Sequence, residues 1–359
     1  MKRILLMASI MIIMLCYCIS VAFADETNLE KQCDKLEEYL IPKTEQEKVD
    51  FNSMEINDHQ YLAYCLKAEV RRGNTEIAQQ LTQYLVDHAD ENKDGEIGWG
   101  LGFAWDAFGD GTVNPEWHVY AIETINVMDA FTDALESGFL DGVTSNIVKE
   151  QLHDIVMIWN QKYWTENKEP DGKYFYWYSI SEEDEIGCIN IDAKMIGVQA
   201  KVLYHYGEMF APDERDFVCK HLDQCYAKIM QESFFNDGVL VWNYLERPDS
   251  QQNDIIHHGF ILEGINDYIK YRIGGEIPEN DIVYGEFIMQ CLEGDKLFSN
   301  AEHSSNRCFD TGAIRWIKNK ELQKRVLLSS YDVYANSETD RRQLAFLFDA
   351  MSLYLVEEM

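Results

Sequence analysis

Apolar positions recur every three to four residues over most of the chain, the spacing of helices that bury one face. One stripe runs through Trp117, Ala121, Thr124, Met128, Phe131 and Leu135. A second holds Ile189, Ala193, Ile196, Ala200 and Leu203, and a third Ile261, Ile265, Tyr268 and Ile269. The same spacing predicts helices near 27–40, 58–72, 75–89, 145–163, 213–232, 279–292, 320–334 and 338–357. Several begin or end at Pro or Gly, as helix termini do. Only six prolines interrupt the sequence, and no mature segment alternates strictly as a strand would. No stretch rich in Pro, Gly or Ser divides the chain. Residues 56–359 therefore read as one domain, preceded by a polar lead-in over 25–55.

The pattern repeats. Asp-Gly-x-x-x-aromatic occurs at Asp94-Gly95 to Trp99, at Asp171-Gly172 to Tyr176 and at Asp237-Gly238 to Trp242. Two residues past the last two aromatics stand Tyr178 and Tyr244. Each copy then reaches a small residue within a helical stripe: Thr124, Gly197 and Gly264. Ile122-Glu123-Thr124-Ile125-Asn126 parallels Leu262-Glu263-Gly264-Ile265-Asn266, which sets His118 opposite His258. A fainter fourth copy runs from Glu293-Gly294 through Phe298 to Gly312. A repeat holding two helices is a helical hairpin unit, and such units bury their faces by stacking on neighbours. The expected fold is all-α, an α/α toroid of about ten to twelve helices forming a full or incomplete ring. An open solenoid is the alternative. The aromatic loops all precede the same member of each helix pair, so in a ring they gather at one end.

The first 24 residues read as a cleaved leader: Lys2 and Arg3, an apolar run from Ile4 to Val21, then Ala22-Phe23-Ala24 before Asp25. This predicts export, to a periplasm or to the medium, with no membrane anchor after cleavage. Two of the 31 basic residues go with the leader, leaving 29 against 63 acidic ones, a net charge of −34. Such a field repels nucleic acid and anionic membranes. Seven cysteines remain, an odd number without CxxC or regular spacing, so most are expected to be buried free thiols.

The aromatic loops carry the strongest functional signal. Trp99, Trp105, Tyr176 and Trp242 are candidates for sugar subsites, because aromatic faces take up the CH faces of sugars. Polar residues cluster where the following helices are expected to start: Glu116 and His118, then Asn190 and Asp192, then Asp254, His257 and His258. His303, Ser305 and Asn306 stand in the fourth copy. Helix capping accounts equally well for Asn190, Asp192 and Asp254. Two chemistries compete. A lyase or epimerase would use His258, Tyr244 or Tyr178 as base, with Asn190 easing a carboxylate charge. A hydrolase would need two carboxyl groups across the scissile bond, from Asp106, Asp110, Glu116 and Asp254. His118, His257 and Asp254 are further candidates for substrate contact. The stretch Asp90-x-Asn92-x-Asp94-Gly95-x-Ile97 matches the first half of a calcium loop, but Leu101 stands where that loop needs Glu. It is a candidate Ca2+ site if another loop completes it, and otherwise a polar turn.

The three aromatic loops, with helices opening at His118, Asn190 and His257-His258, give the chain over residues 55–357 a resemblance to the α/α-toroid carbohydrate-active proteins. That group includes polysaccharide lyases, glycoside hydrolases and the helical domain of glucuronyl C5-epimerases. No motif of one specific family is matched. The acid motif of terpene cyclases and the zinc motifs of lanthionine cyclases, two other toroids, are absent. The resemblance implies an exported enzyme acting on a poly- or oligosaccharide at one end of the toroid. The alternative is a non-catalytic secreted protein that binds a glycan or a protein.

Overall fold

Capping side chains set where the helices begin. In the computed structural model, which describes residues 28–166, 173–236, 239–246, 250–275, 314, 315, 317, 319–334 and 341–358, Asp58 accepts from the Tyr61 amide at 2.7 Å and opens α2 (His59–Arg72). Asp141 accepts from the Val143 and Thr144 amides to open α5 (Gly142–Gln161). Asp254 does the same for α8 (Ile255–Tyr268), and Pro212 takes the first position of α7 (Pro212–Gln231). The remaining helices are α1 (28–40), α3 (Thr75–Asp87), α4 (Ala121–Glu136), α6 (Ile189–Tyr206), α9 (Lys320–Tyr334) and α10 (Arg341–Glu358). The expected helix at 279–292 and the faint fourth repeat lie outside the described residues, as do the expected leader, Cys291 and Cys308.

Burial divides the helices into two layers. Eleven of the 14 residues of α2 are buried, against five of the 20 in α7. The buried helices α10, α2, α4, α6 and α8 touch in that order and form the inner wall. The others lie outside, α3 against α2, α7 against α6 and α9 against α10. This is the expected α/α toroid. Helix α1 is an integral part of it rather than a separate lead-in. Leu29, Cys33, Leu36 and Leu40 are buried, Cys33 lies 3.6 Å from Ser352 of α10, and Arg72 pairs with Asp34 and Glu37.

The inner wall is held by charge as well as by apolar contact. Lys67 of α2 and Lys201 of α6 meet Asp129 of α4 at 2.6 and 2.7 Å, and Lys194 of α6 meets Glu263 of α8 at 2.6 Å. Burying these ions is costly, and each pair offsets that cost only because every partner is present.

The aromatic repeat has a structural duty. Trp99 Nε1 donates to Leu85 O at 3.0 Å, Trp242 Nε1 to Ile229 O at 2.8 Å, and the Tyr176 hydroxyl to Asn160 Oδ1 at 3.0 Å. Each aromatic thus returns to the outer helix that precedes its loop and fastens the hairpin. In the second and third copies the loop is a short antiparallel hairpin. β1 (Trp164–Glu166) pairs with β2 (Tyr174–Tyr176), and β3 (Phe234–Asn236) with β4 (Val239–Val241). Among the described residues all cysteines are free thiols, four of the five buried. No described helix is long and apolar enough to cross a membrane.

Candidate active site

The first turns of the inner helices converge on a pocket of about 250 Å³. Trp105, Tyr120, Tyr178 and Tyr244 form its aromatic walls. Gln60, Glu123, Asn190, His257 and Arg342 supply its polar groups. Trp105 comes in on the loop between Leu101 and Trp117, whose backbone pairs Trp105 with Asn114. It packs 5.4 Å from Tyr120 and 6.2 Å from Tyr178. This is the convergence at one end of the ring that the repeat predicts. It brings together Tyr178, Tyr244, Asn190, Trp105 and His257.

Glu123 is the buried acid of the pocket, 1 % exposed. Its Oε2 accepts from the Gln60 amide at 2.6 Å, tying α4 to the start of α2. Burial, and then the neighbouring Asp58 carboxyl, push its pKa well above the usual carboxylate range, although Arg342 and the Gln60 and His59 amides pull the other way. Burial thus favours the protonated form of this carboxyl. The sequence did carry a signal for it. Glu123 is a charged residue inside an apolar stripe, repeated at Glu263, but Glu263 is used up by Lys194. Gln60, Tyr120 and Arg342 had no comparable signal.

His257 is oriented by Asp254. Its Nδ1 lies 2.8 Å from Asp254 Oδ1, the same oxygen that caps α8 through the His257 amide at 3.0 Å. When Nδ1 donates to Asp254, Nε2 is the ring nitrogen left for a further partner. The ring stands edge-on to Tyr244, 4.9 Å away. Burial raises the pKa values of both Tyr178 and Tyr244.

Several expected site residues are elsewhere. His258, expected as the acid or base, is fully buried against Trp242, with ring centroids 5.6 Å apart. Adjacent residues of a helix point about 100° apart, so only one of His257 and His258 can face the pocket. Trp99, Tyr176 and Trp242 are fasteners of the fold, at most 1 % exposed, and are not sugar subsites. His118 precedes α4 instead of opening it. It lies behind Tyr120, with Nε2 3.0 Å from Ser179 Oγ, and burial lowers its pKa. Ser179 Oγ gives its proton to Asp184 at 2.6 Å, so His118 donates to the serine and this trio is a buried strut.

Three of the four expected hydrolase carboxylates are also displaced. Asp106 accepts from the Gly109, Asp110 and Gly111 amides and shapes its own turn. Asp110 holds Thr112, and Glu116 is exposed on the same loop. In the candidate calcium loop, Asp90 accepts from the Gly95 amide. The Asn92 amide donates to Asp94 Oδ2 at 2.8 Å, and Asp94 Oδ1 accepts from the Glu96 amide. These oxygens serve the polar turn, whereas Asp90 Oδ1 has no hydrogen-bond partner among the described residues. Among the described residues no group of three or more His, Cys, Asp or Glu side chains is arranged to hold a metal.

No family model and no curated protein matches the chain. Solved structures do. The Lin0763 protein from Listeria innocua is 10% identical with a TM-score of 0.55, over 93% of this chain and 97% of that one. A GH8 xylobiose complex from Teredinibacter turnerae is 10% identical with a TM-score of 0.54, over 94% and 96%. A variant of a reducing-end-xylose releasing exo-oligoxylanase, complexed with xylobiose, is 10% identical with a TM-score of 0.53, over 92% of each chain. At this identity the likeness establishes a shared α/α-toroid fold across nearly the whole chain.

Proposed function

We propose that the chain is an exported carbohydrate-active enzyme that hydrolyses a short oligosaccharide in the pocket at the mouth of the toroid. The observation that carries this reading is one aromatic-walled pocket lined by both a buried carboxyl, Glu123, and an imidazole oriented by a carboxylate, His257. Glu123 protonates the departing glycosidic oxygen. His257, held by Asp254, takes a proton from the attacking water. Trp105 and the tyrosines stack on the sugar faces, and Gln60, Asn190 and Arg342 bond its hydroxyls. Two of the structural neighbours are described as complexes with xylobiose, and one as an exo-oligoxylanase, which supports a pyranose ligand. The leader supports export.

A second reading, lyase or epimerase, draws support from Tyr178 and Tyr244, which line the pocket together with Asn190. A panel of neutral and uronic-acid oligosaccharides, xylobiose and xylotriose first, separates the two. New reducing ends without new ultraviolet absorbance mark hydrolysis. Absorbance of an unsaturated uronate marks a lyase, and deuterium uptake from solvent without cleavage marks an epimerase. Glu123→Gln is expected to lower the turnover about 10²- to 10⁴-fold, the usual contribution of a general acid. Turnover unchanged in that variant, or sugar binding without any turnover across the panel, removes the proposed mechanism.

A further inference from the structure

Beside the pocket lies a buried thiol that the proposed mechanism does not use. Cys188 is fully buried at the position just before α6. Its Sγ donates to Asn190 Oδ1 at 3.0 Å. Asn190 is 2 % exposed and lines the pocket, and among the described residues its amide nitrogen has no partner.

The single proton of Cys188 goes to Asn190 Oδ1. A side-chain amide left alone can exchange its oxygen and nitrogen by a half-turn, changing a donor into an acceptor. Here the thiol occupies the oxygen and leaves the NH2 group for the pocket.

We propose that Cys188 is a positioning residue: through Asn190 it gives the pocket a fixed pair of N–H donors aimed at an acceptor oxygen of the bound sugar. This rests on the glycan-site reading above. Cys188 itself touches no ligand. It is neither a nucleophile nor a redox group here, since burial pushes its thiol pKa up and leaves it protonated.

Two measurements test this, one of which needs no ligand. The S–H infrared stretch of Cys188, isolated by subtracting the spectrum of Cys188→Ser, is expected at the lowered frequency of a hydrogen-bonded thiol. It should return to the free-thiol position in Asn190→Leu. If that variant does not fold, Asn190→Asp keeps the acceptor and should leave the band low. Calorimetric titration with xylobiose is the second measurement. Cys188→Ala is expected to weaken binding about fivefold, the worth of one hydrogen bond of about 1 kcal/mol. Cys188→Ser should restore it, with both variants melting close to the parent. A free-thiol band in the parent protein overturns the proposal, as does Cys188→Ala binding xylobiose as tightly as the parent. If the parent binds no sugar of the panel, the glycan reading fails, while the infrared band still decides whether the thiol holds the amide.

Discussion

Gly197 of α6 and Gly264 of α8 meet backbone to backbone in the inner wall. A Cβ placed on Gly197 would stand 2.7 Å from Gly264 O, and one on Gly264 would stand 2.0 Å from Ala193 O. Neither partner is a side chain that can swing away. The two helices therefore approach as closely as they do because both residues lack a side chain, and Lys194 of α6 reaches Glu263 of α8 across the same seam.

Gly264→Ala follows directly. In an isolated helix the change would stabilise by roughly 0.5–1 kcal/mol. Here the new methyl must push α8 from α6, an overpacking that typically costs 1–3 kcal/mol or more. The variant is expected to melt several degrees below the parent in a circular-dichroism scan. A melting point at or above that of the parent would show that the helices do not touch there.

The seam also shows what was legible in the sequence. The small residues Thr124, Gly197 and Gly264 fell at matching places in the repeat, and that regularity alone pointed to stacked hairpins and a ring. Thr124 has a related duty, its hydroxyl accepting from the Trp99 amide at 3.2 Å. The position of the mouth was legible too, because every aromatic loop enters the same helix of its pair. What periodicity does not carry is which way a residue points once a helix starts early or late. Helix α4 starts at Ala121 and α8 at Ile255, so the matched pair His118 and His258 sits before one helix and inside the other. The aromatics that looked most like sugar platforms proved to be the most buried, because a large ring with a polar edge suits a fastener as well as a subsite. Glu123 was hidden for the opposite reason: a buried acid within an apolar stripe reads as an ion-pair partner, which its counterpart Glu263 is.

His257 and His258 give the sharpest contrast between site and core. His257→Gln is expected to lose most turnover on whichever oligosaccharide proves to be cleaved, while keeping its melting point, because the side chain is partly open and its one described hydrogen bond is to Asp254. His258→Ala leaves a hole beside Trp242, and is expected to cost about 1–3 kcal/mol of stability. Activity measured where both variants are folded decides between them. Full activity in His257→Gln would return the base to another residue.

Glu246 sets a pH dependence whose sign can be worked out. Among the described residues neither of its carboxyl oxygens has a hydrogen-bond partner, and burial raises its pKa to about 7 despite Lys228. In the unfolded chain a glutamate titrates near 4.3. Between those values the folded protein holds a proton that the unfolded chain has released. This contribution is therefore complete at acid pH and is lost as pH rises through about 7. Glu69, raised to about 7 mainly by burial, acts with the same sign. Glu246→Gln is expected to match the parent near pH 4.5 and to exceed it at pH 8, by at most about 3 kcal/mol. Urea melts of both proteins at the two pH values test this. Equal stability at pH 8 would place the carboxylate in contact with water.

Trp105 and Trp242 separate binding from fastening in a single comparison. Trp242→Phe keeps an aromatic ring in the core but removes the proton given to Ile229 O, and a buried carbonyl left without its donor costs about 1–3 kcal/mol. Its melting point is expected to fall while xylobiose binding at a temperature well below the melt is unchanged. Trp105 lies on the pocket wall and is only partly buried, so Trp105→Ala should leave the melting point within a few degrees. It should also weaken xylobiose binding by about tenfold, near the upper end of what an aromatic contact contributes beyond its buried area. If the two effects are exchanged, so that Trp242 governs binding and Trp105 stability, the pocket has been assigned to the wrong face of the aromatic loops. A loss of both properties in both variants would mean that the loops fold only around the sugar. In that case the melting point of the parent should itself rise with added xylobiose.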